Sequence, residues 1–217
     1  YYITDRLQFP GDEHEKRAQL LRKIAECVAA GVHYIQLREK DLAIRELEEL
    51  GAEAASLIPK TGDTRLLINS RVDVALACGA AGVHLPANDL TAGEARAIFG
   101  RAAQISPVVA VSCHTVEEVA HAEAHGADFA VFGPVFEKND LPNPNGLMQL
   151  EQACKRPHMA VNAMPVLALG GIMLENTMQC CNAGAAGIAA IRLFQQNDVE
   201  WVVKKLCESF LAANSRE

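Results

Sequence analysis

Cationic and glycine-rich segments follow directly after short apolar runs in this 217-residue chain. Arg38 and Lys40 come after one such run, and two neighbouring cations could clamp an anionic group. Alternatively, they form an ion pair with Glu39 or with a carboxylate of a neighbouring strand. Gly170 and Gly171 follow a later run, ahead of a predicted helix, where bare amides can approach a phosphate. The simpler interpretation of this glycine pair is a tight turn, but both segments indicate anion binding.

Two other polar residues at the ends of apolar runs could transfer a proton or bind a further anion. His114 could act as a general acid or base near neutral pH, or it could only hydrogen-bond within its loop. Arg192 follows the last apolar run and, beside Gly171, predicts a phosphate site. His84 lies inside an apolar run and is interpreted as an interior, hydrogen-bonded histidine. Asp89 alone is a poor ligand set for Mg²⁺, which needs one or two carboxylates plus substrate oxygens.

An internal repeat supplies the elements that must position these residues. Each of its four copies reads as the end of an Ala-rich helix, a glycine and then a continuous apolar run, with the glycines at Gly31, Gly79, Gly126 and Gly184. Glycine suits a helix end that turns through the left-handed region. Continuous apolar runs are typical of parallel strands that are buried on both faces. The glycines are roughly 50 residues apart, which is the length of two βα units.

Four pairs of βα units predict a single (β/α)₈ barrel domain that spans residues 1–217. The interleaved strands are predicted at Tyr2–Thr4, Leu66–Ile68, Val108–Val111 and Val166–Leu169. The stretch Glu137–Gly146 is rich in Pro and Asn and predicts a long loop. A doubly wound open sheet is the alternative fold. Barrel sites lie at the carboxyl ends of the strands, so the residues above are expected to meet on one face.

Composition narrows the classes of partner. A net charge of −7 and a pI near 5.5 argue against nucleic acid or an anionic membrane as the main partner. No apolar run approaches the roughly 18 residues needed to span a bilayer. The seven cysteines form no CxxC motif and are interpreted as reduced, buried residues, which predicts a cytoplasmic protein. Composition is compatible with a homo-oligomer as well as with a monomer.

Six segments in this order and spacing resemble the thiamine phosphate synthase family, including its relative, the thiazole tautomerase TenI. These segments are Tyr2–Asp5, Ile35–Lys40, Leu67–Leu85, Val111–Phe136, Leu167–Ile172 and Asn182–Ile191. The resemblance covers nearly the whole chain. A synthase of this family joins a hydroxymethylpyrimidine diphosphate to a thiazole phosphate, and Mg²⁺ assists the departure of diphosphate. The tautomerase moves protons on a thiazole carboxylate phosphate and uses no metal.

The resemblance also implies roles for individual residues. The residues that match the family's pyrimidine-diphosphate site are Gln36, Arg38, Lys40, Asn69 and Ser112. The residues that match its thiazole-phosphate loops are Gly171 and Ile191, which adjoin Gly170 and Arg192. Asp89 matches one Mg²⁺ ligand, and His114 matches the proton-transfer histidine of the tautomerase.

Several positions depart from the synthase pattern. The family's Asn-Asp after the third strand is Asn69-Ser70 here, so one Mg²⁺ carboxylate is missing. The loop after the sixth strand lacks two threonines and a lysine, and Arg192 replaces a serine. These losses remove charge stabilisation from a departing diphosphate. The sequence therefore favours a metal-independent tautomerase with His114 as proton carrier. A synthase with Mg²⁺ and a non-catalytic barrel that binds thiamine precursors are the alternatives.

Overall fold

The computed structural model describes residues 1–103, 106–138, 141–155 and 163–215. Its strands are β1 Tyr2–Ile3, β2 Tyr34–Leu37, β3 Arg65–Asn69, β4 Gly82–Leu85, β5 Val108–Cys113, β6 Phe129–Phe132, β7 Glu137–Lys138, β8 Leu141–Pro142, β9 Val166–Ala168 and β10 Gly187–Ile188. Strands β7 and β8 pair with each other as an antiparallel ladder. The other eight form one parallel sheet in chain order, β1 to β6 followed by β9 and β10.

The two edges of this sheet meet, which closes the barrel. Tyr2 forms a parallel bridge with Ala190, and Ile3 N donates to Ala190 O at 3.0 Å. The side chain of Gln195 strengthens this seam, because it accepts from Asp5 N at 2.9 Å and donates to Asp5 O at 3.0 Å. The sequential strand order confirms the predicted (β/α)₈ barrel and excludes the doubly wound alternative.

Helices alternate with the barrel strands and cover the sheet. They are α1 Glu13–Ala29, α2 Ile44–Ser56, α3 Val72–Ala77, α4 Ala92–Ala103, α5 Val116–Ala124, α6 Gly146–Cys154, α7 Thr177–Asn182, α8 Arg192–Gln195 and α9 Val199–Asn214. Helix α4 begins at the predicted capping box: Glu94 N donates to Thr91 Oγ1, and the Glu94 carboxylate accepts from Thr91 N. None of the helices in the described ranges is long and apolar enough to cross a membrane.

The repeat glycines end helices in the left-handed region, as predicted. Their φ angles are 77° at Gly31, 68° at Gly79, 80° at Gly126 and 95° at Gly184. At the first three positions an added Cβ would meet nothing within 4 Å. Backbone conformation alone therefore requires glycine there, which is why the repeat is visible in the sequence.

Apolar residues fill both faces of the sheet. One buried cluster lies between the strands and the helices, and a smaller one, which includes Ile3, Leu67, Phe129 and Val131, fills the barrel interior. Six of the seven cysteines are buried, which confirms their interpretation as small core residues. The stretch predicted as a long loop contains the β7–β8 hairpin, which the sequence did not indicate.

Candidate functional site

Two amide side chains meet where β2 and β3 end. Gln36 Nε2 donates to Asn69 Oδ1 at 2.9 Å, and Asn69 Nδ2 donates to Ser70 Oγ at 3.1 Å. Ser70 has a φ of 59°, and its amide donates to His84 O at 2.9 Å. A left-handed residue other than glycine is uncommon and persists where surrounding contacts hold it. The chain therefore keeps a strained turn at the position where the resemblance implies an aspartate.

His84 is buried at the centre of a second polar chain. One ring nitrogen lies 2.8 Å from the Tyr1 hydroxyl, and the other lies 2.7 Å from Ser112 Oγ. Burial, aided by the positive charge of Arg38, lowers the pKa of His84 to about 3. The imidazole is therefore neutral near pH 7, and it fixes the hydroxyl of Ser112. The prediction of a satisfied interior histidine is confirmed.

This buried histidine makes stability depend on pH. An unfolded histidine has a pKa near 6.5, so between about pH 6.5 and pH 3 the unfolded chain binds one more proton than the folded chain. Stability is therefore lost as the pH falls through this window, by about 2 kcal/mol at pH 5. Urea unfolding at pH 7 and pH 5 measures this loss. We expect His84→Gln to lose about 2 kcal/mol less than the wild type; equal losses would contradict the assignment.

Arg38 and Lys40 lie together at the end of β2 and are not neutralised by Glu39. The Glu39 carboxylate is buried and binds Arg6 and Thr4 instead. The positive charge of Arg38, followed by burial, lowers the pKa of Lys40. Within the described parts of the chain, neither cation forms an ion pair. The alternative that Glu39 pairs with these cations is therefore wrong, and the site presents two positive charges at the barrel mouth.

A cavity of about 630 Å³ opens at the ends of β9 and β10. Gly170, Gly171, Ile191 and Arg192 line it, as the sequence predicted for a phosphate site. The amides of Gly170, Gly171 and Ile191 donate to no acceptor among the described residues. Asn176 holds the glycine loop, because its side chain donates to Gly171 O at 2.9 Å. Unsatisfied amides beside a cation suit a phosphate.

His114 is exposed after β5 and is oriented by the chain around it. Its Nδ1 lies 2.5 Å from Gly133 O, and its amide donates to Glu118. A carbonyl oxygen can only accept, so Nδ1 carries the proton and Nε2 of the neutral ring is the basic nitrogen. Nε2 has no hydrogen-bond partner in the part of the chain that the structure describes.

Asp89 is exposed after β4, and its Oδ1 accepts from Leu90 N at 2.8 Å. The described residues contain no group of three His, Cys, Asp or Glu side chains that could hold a metal. The assignment of Asp89 as one Mg²⁺ ligand of a synthase stays a prediction. Sequence reasoning missed Arg6 and Thr4, whose hydrogen bonds to Glu39 cross from one strand end to the next.

Comparisons with known proteins point to one family. A sequence profile described as "Thiamine monophosphate synthase" matches residues 2–194. A "Putative thiamine-phosphate synthase" from Geobacter sulfurreducens is 43% identical over 194 residues, which cover 88% of this chain and 84% of that protein. A "Thiamine-phosphate synthase" from Halalkalibacterium halodurans is 36% identical over 204 residues, 92% of this chain and 90% of that protein. A solved thiamine phosphate pyrophosphorylase from Pyrococcus furiosus is 29% identical, with a TM-score of 0.77 over 98% of this chain and 95% of that chain.

Proposed function

This chain belongs to the thiamine monophosphate synthase family, and from that premise we propose that it catalyses the synthase reaction. In that reaction a hydroxymethylpyrimidine diphosphate and a thiazole phosphate give thiamine phosphate and inorganic diphosphate. The names of the relatives fit this alternative better than the tautomerase that the sequence favoured. One observation carries the proposal: Arg38 and Lys40 stand together while Glu39 is bound elsewhere.

The end of β2 would bind the diphosphate. The planar guanidinium of Arg38 can donate two parallel hydrogen bonds to phosphate oxygens, and Lys40 adds a compact positive charge. Their mutual repulsion is relieved when a dianionic or trianionic group lies between them. The same charges stabilise the negative charge that grows on the leaving oxygen, which is where electrostatic catalysis acts.

The cavity at β9 and β10 would hold the second substrate. The amides of Gly171 and Ile191 donate to its phosphate, and Arg192 borders the same cavity. Two separate anion sites at one barrel face fit a reaction with two phosphorylated substrates. The tautomerase substrate carries a carboxylate besides its phosphate, and one carboxylate neutralises less positive charge at the Arg38–Lys40 end than a diphosphate does.

The bond changes need no general base. The carbon–oxygen bond to diphosphate breaks, and both electrons leave with the oxygen. The lone pair of the thiazole nitrogen then forms the new carbon–nitrogen bond, so no proton is gained or lost in this step. Neutral His84, held against Ser112, adds no positive charge that would oppose the pyrimidine cation.

The donors at this end fit a Mg²⁺ ion that arrives with the diphosphate. Asp89 Oδ1 accepts from Leu90 N, its Oδ2 accepts from no donor in the described ranges, and Ser70 offers a neutral hydroxyl. Proteins commonly hold Mg²⁺ by one or two carboxylates together with substrate phosphates and water. When bound, the ion neutralises charge on the departing diphosphate.

Thiazole tautomerisation is the second candidate, and two observations favour it. Ser70 lacks the charge of the family's aspartate, and Nε2 of His114 is an accessible basic nitrogen. This reaction needs one phosphate site and one proton carrier. For the two cations at the end of β2 it offers only the substrate carboxylate, which carries less negative charge than a diphosphate.

The two candidates separate in one assay. The protein is incubated with both synthase substrates and Mg²⁺, or with the thiazole carboxylate phosphate tautomer alone. We expect thiamine phosphate and inorganic diphosphate in equal amounts, and His114→Asn should keep at least about a third of this rate because no proton moves. Isomerisation that His114→Asn abolishes, without thiamine phosphate, would establish the tautomerase instead. Binding without either product would support a non-catalytic barrel.

A further inference from the structure

Glu39 lies between Arg38 and Lys40 in the sequence. Its carboxylate nevertheless binds residues that follow β1, not these two cations. Its side chain is only 1% exposed. Its carboxylate accepts from Thr4 Oγ1 at 2.5 Å, from Arg6 N at 3.1 Å and from Arg6 Nη1 at 3.2 Å. Donors from the end of β1 therefore occupy both of its oxygens.

Thr4 also holds the backbone that follows β2. Its hydroxyl accepts from Arg38 N at 2.9 Å while it donates to Glu39. A single hydroxyl thus ties the backbone of Arg38 to the neighbouring carboxylate. Glu39 therefore turns towards Arg6, and among the described residues it forms no ion pair with Arg38 or Lys40.

Arg6 is the one cation among the described residues that forms an ion pair with this carboxylate. Its side chain is 4% exposed, and it binds Asp41 through two hydrogen bonds of 2.7 Å and Glu13 through Nε at 2.6 Å. These carboxylates raise the pKa of Arg6 further, so it stays charged. Asp41 and Glu13 are about half exposed, so water screens them, whereas Glu39 has no such screening.

We propose that Arg6 is a positioning residue, which holds Glu39 away from Arg38 and Lys40 and so keeps both cations available for the diphosphate. The identity of this anion rests on the function proposed above. If Arg6 loses its charge, Glu39 becomes a buried carboxylate without its cation, and it is adjacent in the sequence to Arg38 and Lys40. An ion pair with either of them cancels one of the charges that the diphosphate needs.

Binding of inorganic diphosphate, followed by calorimetry, tests this inference without any turnover. We expect Arg6→Met to raise the Kd for inorganic diphosphate about tenfold or more. The double variant Arg6→Met/Glu39→Gln should bring the Kd back to within about threefold of the wild type. In steady-state assays, the KM for the pyrimidine diphosphate should rise and fall in the same way, while the KM for the thiazole phosphate stays constant.

Two further variants keep the test decisive if Arg6→Met does not fold. Glu39→Gln alone should leave the Kd within about twofold, because its charge is already neutralised by Arg6. Glu13→Gln is the matched control, since it removes a partner of Arg6 that lies away from the cations. A double variant that binds inorganic diphosphate tenfold more weakly than the wild type would overturn the inference, since Arg6 would then act other than through Glu39.

Failure of this inference and failure of the proposed function give different results. Normal thiamine phosphate synthesis with an unchanged Kd in Arg6→Met refutes the positioning role and leaves the synthase. Weakened binding in Arg6→Met with rescue by Glu39→Gln, in a protein that makes no thiamine phosphate, establishes the positioning role and refutes the synthase.

Discussion

Replacing Arg38 with Met is expected to lower kcat for thiamine phosphate synthesis by about 100- to 1000-fold. The guanidinium stands at the end of β2 beside Lys40, and its positive charge is strong enough to lower the pKa of that lysine. Met keeps most of the volume and removes every donor. The loss falls mainly on kcat, because the charge on the leaving oxygen is greatest in the transition state.

The same substitution at Arg65 is the matched control. Arg65 is also half-buried, but it begins β3 at the opposite end of the barrel, where its guanidinium donates to Gly62 O and Thr64 O. We expect Arg65→Met to keep kcat within about threefold of the wild type, at some cost in stability. If Arg38→Met also stays within tenfold, the diphosphate does not bind at the end of β2.

Gly170→Ala is expected to destabilise the protein by about 3 kcal/mol and to weaken the binding of thiazole phosphate. Gly170 has a φ of 101°, and a Cβ there would lie 2.8 Å from Cα and Cβ of Pro134. Both the backbone conformation and the packing against the loop after β6 therefore exclude a side chain. Relief of the clash displaces the Gly170–Gly171 loop, which lines the cavity.

Urea unfolding and ligand titration measure these two effects of Gly170→Ala. Gly100→Ala is the control: it lies in α4, and its Cβ would meet nothing within 4 Å. We expect this control to be neutral or more stable by up to about 1 kcal/mol, since alanine favours helix. Full stability and unchanged affinity in Gly170→Ala would show that the glycine loop is not built as described.

The barrel was predictable because its requirements are local. A glycine such as Gly79 is needed for a left-handed helix end, and it recurs wherever the chain turns from a helix into a strand. The β7–β8 hairpin has two residues in each strand, which is too short for an alternating pattern to appear. For this reason the sequence indicated only a loop there.

The site was only partly predictable, because its charges are set by contacts between distant strands. The sequence placed Glu39 next to Arg38 and Lys40, and only the fold shows that Arg6 binds it. Without that contact the cations could be counted as neutralised. The absence of an acid at Ser70 was visible in the sequence and favoured the tautomerase. The structure adds that Glu39 pairs with Arg6 and not with Arg38 or Lys40, which favours a diphosphate at this end.

Two phosphorylated groups are expected to bind at separate ends of one barrel face. A crystal structure with thiamine phosphate and inorganic diphosphate bound tests it most directly. We expect the diphosphate oxygens within hydrogen-bond distance of Arg38 and Lys40, and the phosphate of thiamine phosphate at the amides of Gly171 and Ile191. A structure in which the diphosphate lies away from both cations, or in which only the cavity at β9 and β10 accepts an anion, would contradict the claim.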